Sequence, residues 1–246
     1  MKRLLFVACL LALAAPSPAR TSGFNLAWGE QCWTDDPVNS RTFACDSNSG
    51  VDYATGSFVI DQDMPDFFGL QIIVDICSGP NDLPDWWQMW NPGSCRATSL
   101  SVSPVLSSAA SAHCVSPWQG PVPRSFVAYQ TRRYPPPVGY VLPNGARIKI
   151  QFDTWPTVTP LSAGVEYLAF RLAIDHQNTL GGDACAGCGV PVEMAHGWMR
   201  VNGESGIVDL IARERGYLAW NGGLSYPCYS VPVRNATWGQ VKGMYR

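Results

Sequence analysis

Apolar and polar residues alternate with period two along several stretches of this chain. Arg147-Ile-Lys-Ile-Gln-Phe-Asp153 is the cleanest: Ile148, Ile150 and Phe152 point one way and the polar side chains the other, as in a half-buried strand. Glu166 to His176 sets Leu168, Phe170, Leu172 and Ile174 on one face and Tyr167, Ala169, Arg171, Ala173 and Asp175 on the other. Leu70, Ile72, Val74 and Ile76 repeat the pattern, as do Leu100 and Val102 against Ser99, Ser101 and Ser103. Ser57 to Ile60, Val190 to Val201 and Ile207 to Ile211 are further candidates. No segment of helix length carries a 3.6-residue period.

Turn chemistry separates these runs. Ser78-Gly-Pro80, Asn91-Pro-Gly93, Pro143-Asn-Gly145, Gly181-Gly-Asp183, Asn202-Gly203 and Asn221-Gly-Gly223 supply the positive φ and fixed φ that tight turns need. Short strands between such turns predict an all-β fold, an antiparallel β-sandwich of cohesin-like or jelly-roll-like kind. Two long segments lack a strand pattern, Asp82 to Ser94 and Val115 to Gly139. Loops of that length are unusual unless they serve a function or are pinned down. From about residue 216 the chain turns aromatic, with Trp220, Tyr226, Tyr229, Trp238 and Tyr245, which is too apolar for a loose tail.

The beginning of the chain changes the picture. Lys2 and Arg3 precede an apolar run from Leu4 to Ala15, and small residues follow at Ser17-Pro-Ala19. This is the pattern of a secretory signal peptide. We therefore expect a leader over 1–19 and a single β-sandwich domain over 20–246, secreted or held at the cell surface or in the periplasm. The apolar run is too short to span a bilayer, and no membrane span is expected elsewhere. Losing Lys2 and Arg3 takes the formal charge from −2 to −4. An acidic chain argues against nucleic-acid binding, which normally shows a basic face.

Eight cysteines follow the leader: Cys32, Cys45, Cys77, Cys95, Cys114, Cys185, Cys188 and Cys228. In an oxidising compartment they are expected to pair. Eight cysteines allow 105 pairings, and short loops close at least entropic cost. That ranks Cys32–Cys45, Cys95–Cys114 and Cys185–Cys188 first and leaves Cys77–Cys228 by elimination. Cys185-Ala-Gly-Cys188 has the spacing of a redox pair, but a Gly-Gly-Asp turn precedes it and no helix follows, as that chemistry requires. A zinc site needs four ligands, and there is no second C-x-x-C. A surface-loop disulfide is the expectation.

Candidate chemistry is sparse. Three histidines occur, His113, His176 and His196, without a G-x-S-x-G elbow. Asp61, Asp63, Asp66, Asp75 and Asp153 could supply a carboxylate pair for glycoside hydrolysis. Asp46-Ser-Asn48-Ser-Gly-Val-Asp52 alternates oxygen ligands as a calcium loop does, so Asp46, Asn48 and Asp52 are candidate calcium ligands. The bidentate glutamate of an EF-hand is missing, and no other cofactor is expected. Leu83-Pro-Asp-Trp-Trp-Gln-Met-Trp90 is the most unusual cluster. Trp86, Trp87 and Trp90 form either an exposed platform for a sugar or partner protein or a core plug that closes the end of the sandwich.

Five segments, Phe43-Ala-Cys-Asp-Ser-Asn-Ser-Gly50, Leu83-Pro-Asp-Trp-Trp87, Gly93-Ser-Cys-Arg96, Cys185-Ala-Gly-Cys188 and Trp238-Gly-Gln-Val-Lys-Gly-Met-Tyr-Arg246, resemble an uncharacterised group of secreted bacterial β-sandwich proteins. The resemblance covers nearly the whole chain after the leader and implies no activity. Members often carry a further cysteine just after the Cys185–Pro191 segment. Glu193 stands there in this chain, which leaves its pairing scheme open. Phe68 to Asp75, Ala146 to Phe152 and Gly164 to Ile174 are more loosely similar to strands of cohesin-like and carbohydrate-binding sandwiches. The expected function is a secreted, non-enzymatic binding or structural module for a glycan or envelope protein. The alternative is a secreted, carboxylate-dependent glycoside hydrolase.

Overall fold

The computed structural model describes residues 22–33, 37–79, 82–90, 93–106, 114–120, 122–131, 145–210 and 216–223. These residues form two packed β-sheets and no α-helix. The smaller sheet contains β1 (Gly23–Trp28), β3 (Val51–Val59), β9 (Glu166–Asp175) and β5 (Leu100–Ser103), in that spatial order and antiparallel throughout. The larger sheet runs β2 (Ser40–Arg41), β12 (Tyr217–Trp220), β10 (Val192–Gly203), β4 (Met64–Cys77), β7 (Gly145–Asp153) and β6 (Arg124–Thr131). Two further strands pair with it, β11 (Gly206–Leu210) with β10 and β8 (Thr159–Leu161) with β4. Among the described strands, β2 and β12 are the one pair that runs parallel.

The alternation in the sequence is the cause of this architecture. Leu70, Ile72, Val74 and Ile76 of β4 are all buried, and each meets an apolar residue of β7 in register: Phe152, Ile150, Ile148 and Ala146. Such same-face pairs are the unit of sheet stabilisation, and each large side chain so buried contributes ~1.5–3 kcal/mol. The smaller sheet answers with Phe24, Leu26 and Trp28 of β1, Ala54 and Phe58 of β3, and Phe170, Leu172 and Ile174 of β9. The rings of Phe24 and His196 lie 4.0 Å apart, and those of Trp28 and Trp220 5.6 Å apart, so the two sheets interdigitate.

Two bulges set the phase of that packing. In β10 the pairing with β4 slips between His196 and Trp198. Val192, Met194 and His196 are buried before it, Met199 and Val201 after it. One extra residue, Gly197, thus moves the apolar set from even to odd positions, as a bulge must. In β3 the register shifts between Gly56 and Ser57. A Cβ at Gly56 would come within 2.5 Å of the Phe170 ring, so a side chain has no room at that kink.

The predicted runs over β4, β5, β7, β9, β10 and β11 are strands, as is Ser57 to Val59 within β3. Five strands went unforeseen, the short β2 and β8 among them. β1 alternates Phe24, Leu26 and Trp28. β6 lies inside the segment from Val115 to Gly139 that the pattern leaves as loop. Its inward positions are Ser125, Val127 and Tyr129 while Phe126 faces out, so the alternation is inverted at its start. β12 is the described part of the aromatic C-terminal segment, with Leu218 and Trp220 buried.

Candidate functional site

The segment from Leu83 to Trp90 sits at one end of the sandwich. Pro84 leads into a single 3-10 turn, Asp85–Trp87, held by Trp87 N–H donating to the Pro84 carbonyl and Trp86 N–H to that of Ala186. Trp86, Trp87 and Met89 have no solvent exposure. The Trp86 ring packs against Trp87 at 5.1 Å, Trp220 at 5.5 Å and Phe43 at 5.8 Å, and its indole N–H donates to Thr179 Oγ1. The Arg96 guanidinium covers it at 3.6 Å and donates to the Gln177 and Asp175 carbonyls. Burial lowers the Arg96 pKa to about 10, partly offset by Asp175. Trp90 is half-buried against the same core. Of the two readings offered for Trp86, Trp87 and Trp90, the core plug holds for Trp86 and Trp87, and the platform does not.

The expected disulfides are also corrected. Cys32 pairs with Cys114, Cys45 with Cys188 and Cys95 with Cys185, at Cα separations of 5.7, 5.9 and 6.1 Å. None of the three short-loop pairs exists. The two cysteines of the C-x-x-C segment reach different partners and clamp the Trp86 turn from both sides. Cys77 is also disulfide-bonded, and Cys228 lies outside the described residues. Loop-closure entropy grows only logarithmically with length, so the geometry of the folded sheets decides the pairing. Disulfides mark an oxidising compartment, and no described helix is long and apolar enough to cross a membrane.

Two of the three candidate calcium ligands make contacts within the fold. Asn48 Oδ1 accepts the backbone N–H groups of Thr179 and Leu180, at 2.7 Å each. Asp52 is buried, with Oδ1 2.8 Å from Arg41 Nε and Oδ2 2.8 Å from His176 Nε2. Asp46 is exposed beyond them. Asn48 and Asp52 thus each serve a fold contact. Among the described residues no group of three or more His, Cys, Asp or Glu is placed to hold a metal.

Four of the five candidate acids, and His176, make fold contacts. Asp63 accepts from Ala163 N–H, Asp66 from Ser205 N–H and Oγ, Asp75 pairs with Arg147, and Asp153 with Arg124. His176 fills the position under Gly50, and Phe43 meets its ring edge-on at 3.9 Å. His196 is core, with neither ring nitrogen partnered, and burial lowers its pKa to about 3. His113 lies outside the described residues.

The surface with the strongest case for binding is the outer face of the larger sheet. Register places Arg124, Asp153, Gly69, Asn202 and Ile207 in one row across β6, β7, β4, β10 and β11. The next row is Phe126, Gln151, Gln71, Arg200 and Asp209. Five strands at ~4.8 Å spacing make each row about 19 Å long. Gly69 is a hollow at the centre: a Cβ there would stand 2.8 Å from the Phe152 carbonyl oxygen, so the residue must stay bare. Trp155, 52% exposed, borders the hollow with its ring set edge-on to Phe68 at 5.5 Å. Phe126 is 62% exposed and Ile207 56%. Arg200 holds Asp209 through two contacts of 2.7 and 2.9 Å, which lowers the carboxyl pKa and raises that of the guanidinium. Arg124 likewise holds Asp153. The face is thus nearly neutral, rich in amides, and bounded by aromatic rings. The sequence carries the signal as the outward half of its alternation, Gln71 and Gln151, but nothing in one strand shows which residues of another lie beside it.

No family model matches the sequence, and no curated protein matches it.

Proposed function

We propose that this protein is a secreted, non-enzymatic binding module that presents the outer face of its larger sheet to a glycan. The observation that carries the reading is the exposure of Trp155 and Phe126 beside Gln71, Gln151 and Asn202 around the hollow at Gly69. An aromatic ring pairs an apolar face with fixed shape, and apolar surface rimmed by polar groups marks interaction sites. Amide side chains both donate and accept hydrogen bonds, which suits sugar hydroxyls. The neutralised Arg–Asp pairs leave no basic stripe for a nucleic acid. Export is supported by the leader-like residues Lys2 to Ala19 and by the disulfides.

The test is a glycan array read for both binding and cleavage, with the oxidised protein and the variants Trp155→Ala and Gln71→Ala. Binding without product release, lost in both variants while the circular dichroism stays unchanged, is the expected result. Sugar release that survives both variants favours the hydrolase alternative. Binding that depends on Trp90 but on neither Trp155 nor Gln71 moves the site to the closed end.

A further inference from the structure

We infer that two copies of this chain pair edge to edge through β6, antiparallel, about a two-fold axis at Val127. β6 ends the larger sheet, and no described strand pairs with its outer edge. It is registered with β7 along its full length, from Arg124 opposite Asp153 to Thr131 opposite Ala146, with no bulge. Edge strands are normally guarded by shortness, lysines, proline, bulges or inward charges. β6 has eight residues and none of those guards. Its single charge, Arg124, is engaged with Asp153.

The other edges differ. β2 has two residues and β5 four. β11 has five. β1 is covered, since Trp28 Nε1–H donates to the Ala219 carbonyl and Asn39 Nδ2–H to that of Leu26. The two most exposed large apolar side chains among the described residues lie at this edge, Phe126 at 62% and Val122 just before the strand at 77%.

The residue pattern of β6 fits a second copy of itself. Antiparallel partners lie on the same face of a sheet, so an axis at Val127 sets Phe126 opposite Ala128 of the second copy, Ser125 opposite Tyr129 and Arg124 opposite Gln130. A large side chain meets a small one on the outer face, and no like charges meet. The interface is isologous and closes on itself. Because the axis is perpendicular to the sheet, both outer faces look the same way. The inference does not depend on what those faces bind.

The experiment is sedimentation equilibrium of the oxidised full chain from about 1 to 100 µM, the range in which a modest pairing shows. Twice the chain mass is expected. Phe126→Lys with Ala128→Lys sets like charges opposite each other twice. It is expected to raise the dissociation constant by roughly a hundredfold, since like-charge juxtaposition is costly. Phe126→Lys with Ala128→Glu sets opposite charges at the same places and should keep the dimer. Circular dichroism checks that both variants fold. A wild-type monomer throughout the range overturns the inference, and so does a dimer that tolerates the lysine pair. Loss of the dimer in both variants overturns the register at Val127.

Discussion

Two groups of tryptophans divide the work of this molecule. At the closed end Trp28, Trp86 and Trp220 are buried, and each indole N–H has an acceptor: the Ala219 carbonyl, Thr179 Oγ1 and the Cys188 carbonyl. On the outer face Trp155 keeps half its surface in water, and Trp198 lies half-buried under Arg200 at 4.8 Å. The difference lies in what surrounds each ring. The closed-end rings sit between disulfides and a stacked guanidinium that remove them from solvent. Trp198 sits on β10, whose opposite face already forms the core, and Trp155 on the turn that follows β7. An aromatic cluster in sequence becomes core where cysteines anchor its flanks, and surface where the sheet has no further layer.

Substitutions should separate the two groups sharply. The largest effect is expected from Trp86→Ala, which empties the centre of the plug and should lower the unfolding free energy by about 3–5 kcal/mol, measured by denaturant titration. Next, Cys45→Ala with Cys188→Ala removes one wall of the plug and should cost about 2–4 kcal/mol; a cost no larger than a surface substitution would show the clamp is dispensable. The third expectation is a pH dependence. His196 is neutral in the fold with its pKa held at about 3, whereas the unfolded chain protonates it below about 6.5. The unfolded state therefore binds the extra proton, and stability falls as pH drops from about 6.5 toward about 3, by up to about 1.4 kcal/mol per unit. His196→Leu should flatten that slope, which thermal denaturation at stepped pH measures. The smallest effect on stability belongs to Trp155→Ala, within about 1 kcal/mol as for other surface changes, although we expect it to abolish glycan binding. A loss of several kcal/mol there would make Trp155 a packing residue and end the contrast.

Much of the fold was legible because burial of one face forces period two. β4, β7 and β9 could be read residue by residue for that reason. β6 could not, because Phe126 faces out at the point where Ser125 faces in. The phase change in β10 was missed as well, although a lone glycine within a strand pattern, Gly197, is itself a bulge signal. The disulfides were misjudged because sequence distance was taken as a guide to spatial distance. Each doubling of a loop costs only ~0.6 kcal/mol, a bias that packing of β3, β9 and the loops between them easily outweighs. The outer-face site was half-legible: the strand pattern marks Gln71 and Gln151 as outward, but only register brings them beside Asn202, Phe126 and the bare backbone of Gly69.

The crossed disulfides carry a consequence for how the protein is made. Cys32 and Cys45 are the first of the eight to leave a ribosome, and their partners follow 82 and 143 residues later. At a synthesis rate of about 5–20 residues per second, that is a wait of several seconds to about half a minute. Thiols meeting an oxidant can couple within seconds. A chain delivered N-terminus first is thus exposed to the nearest-neighbour bond between Cys32 and Cys45, which the finished molecule does not contain. Cys185 and Cys188 face the same temptation at the other end. Production in quantity should then be limited by reshuffling, and co-expression of a disulfide isomerase should raise the yield more than a stronger oxidant does.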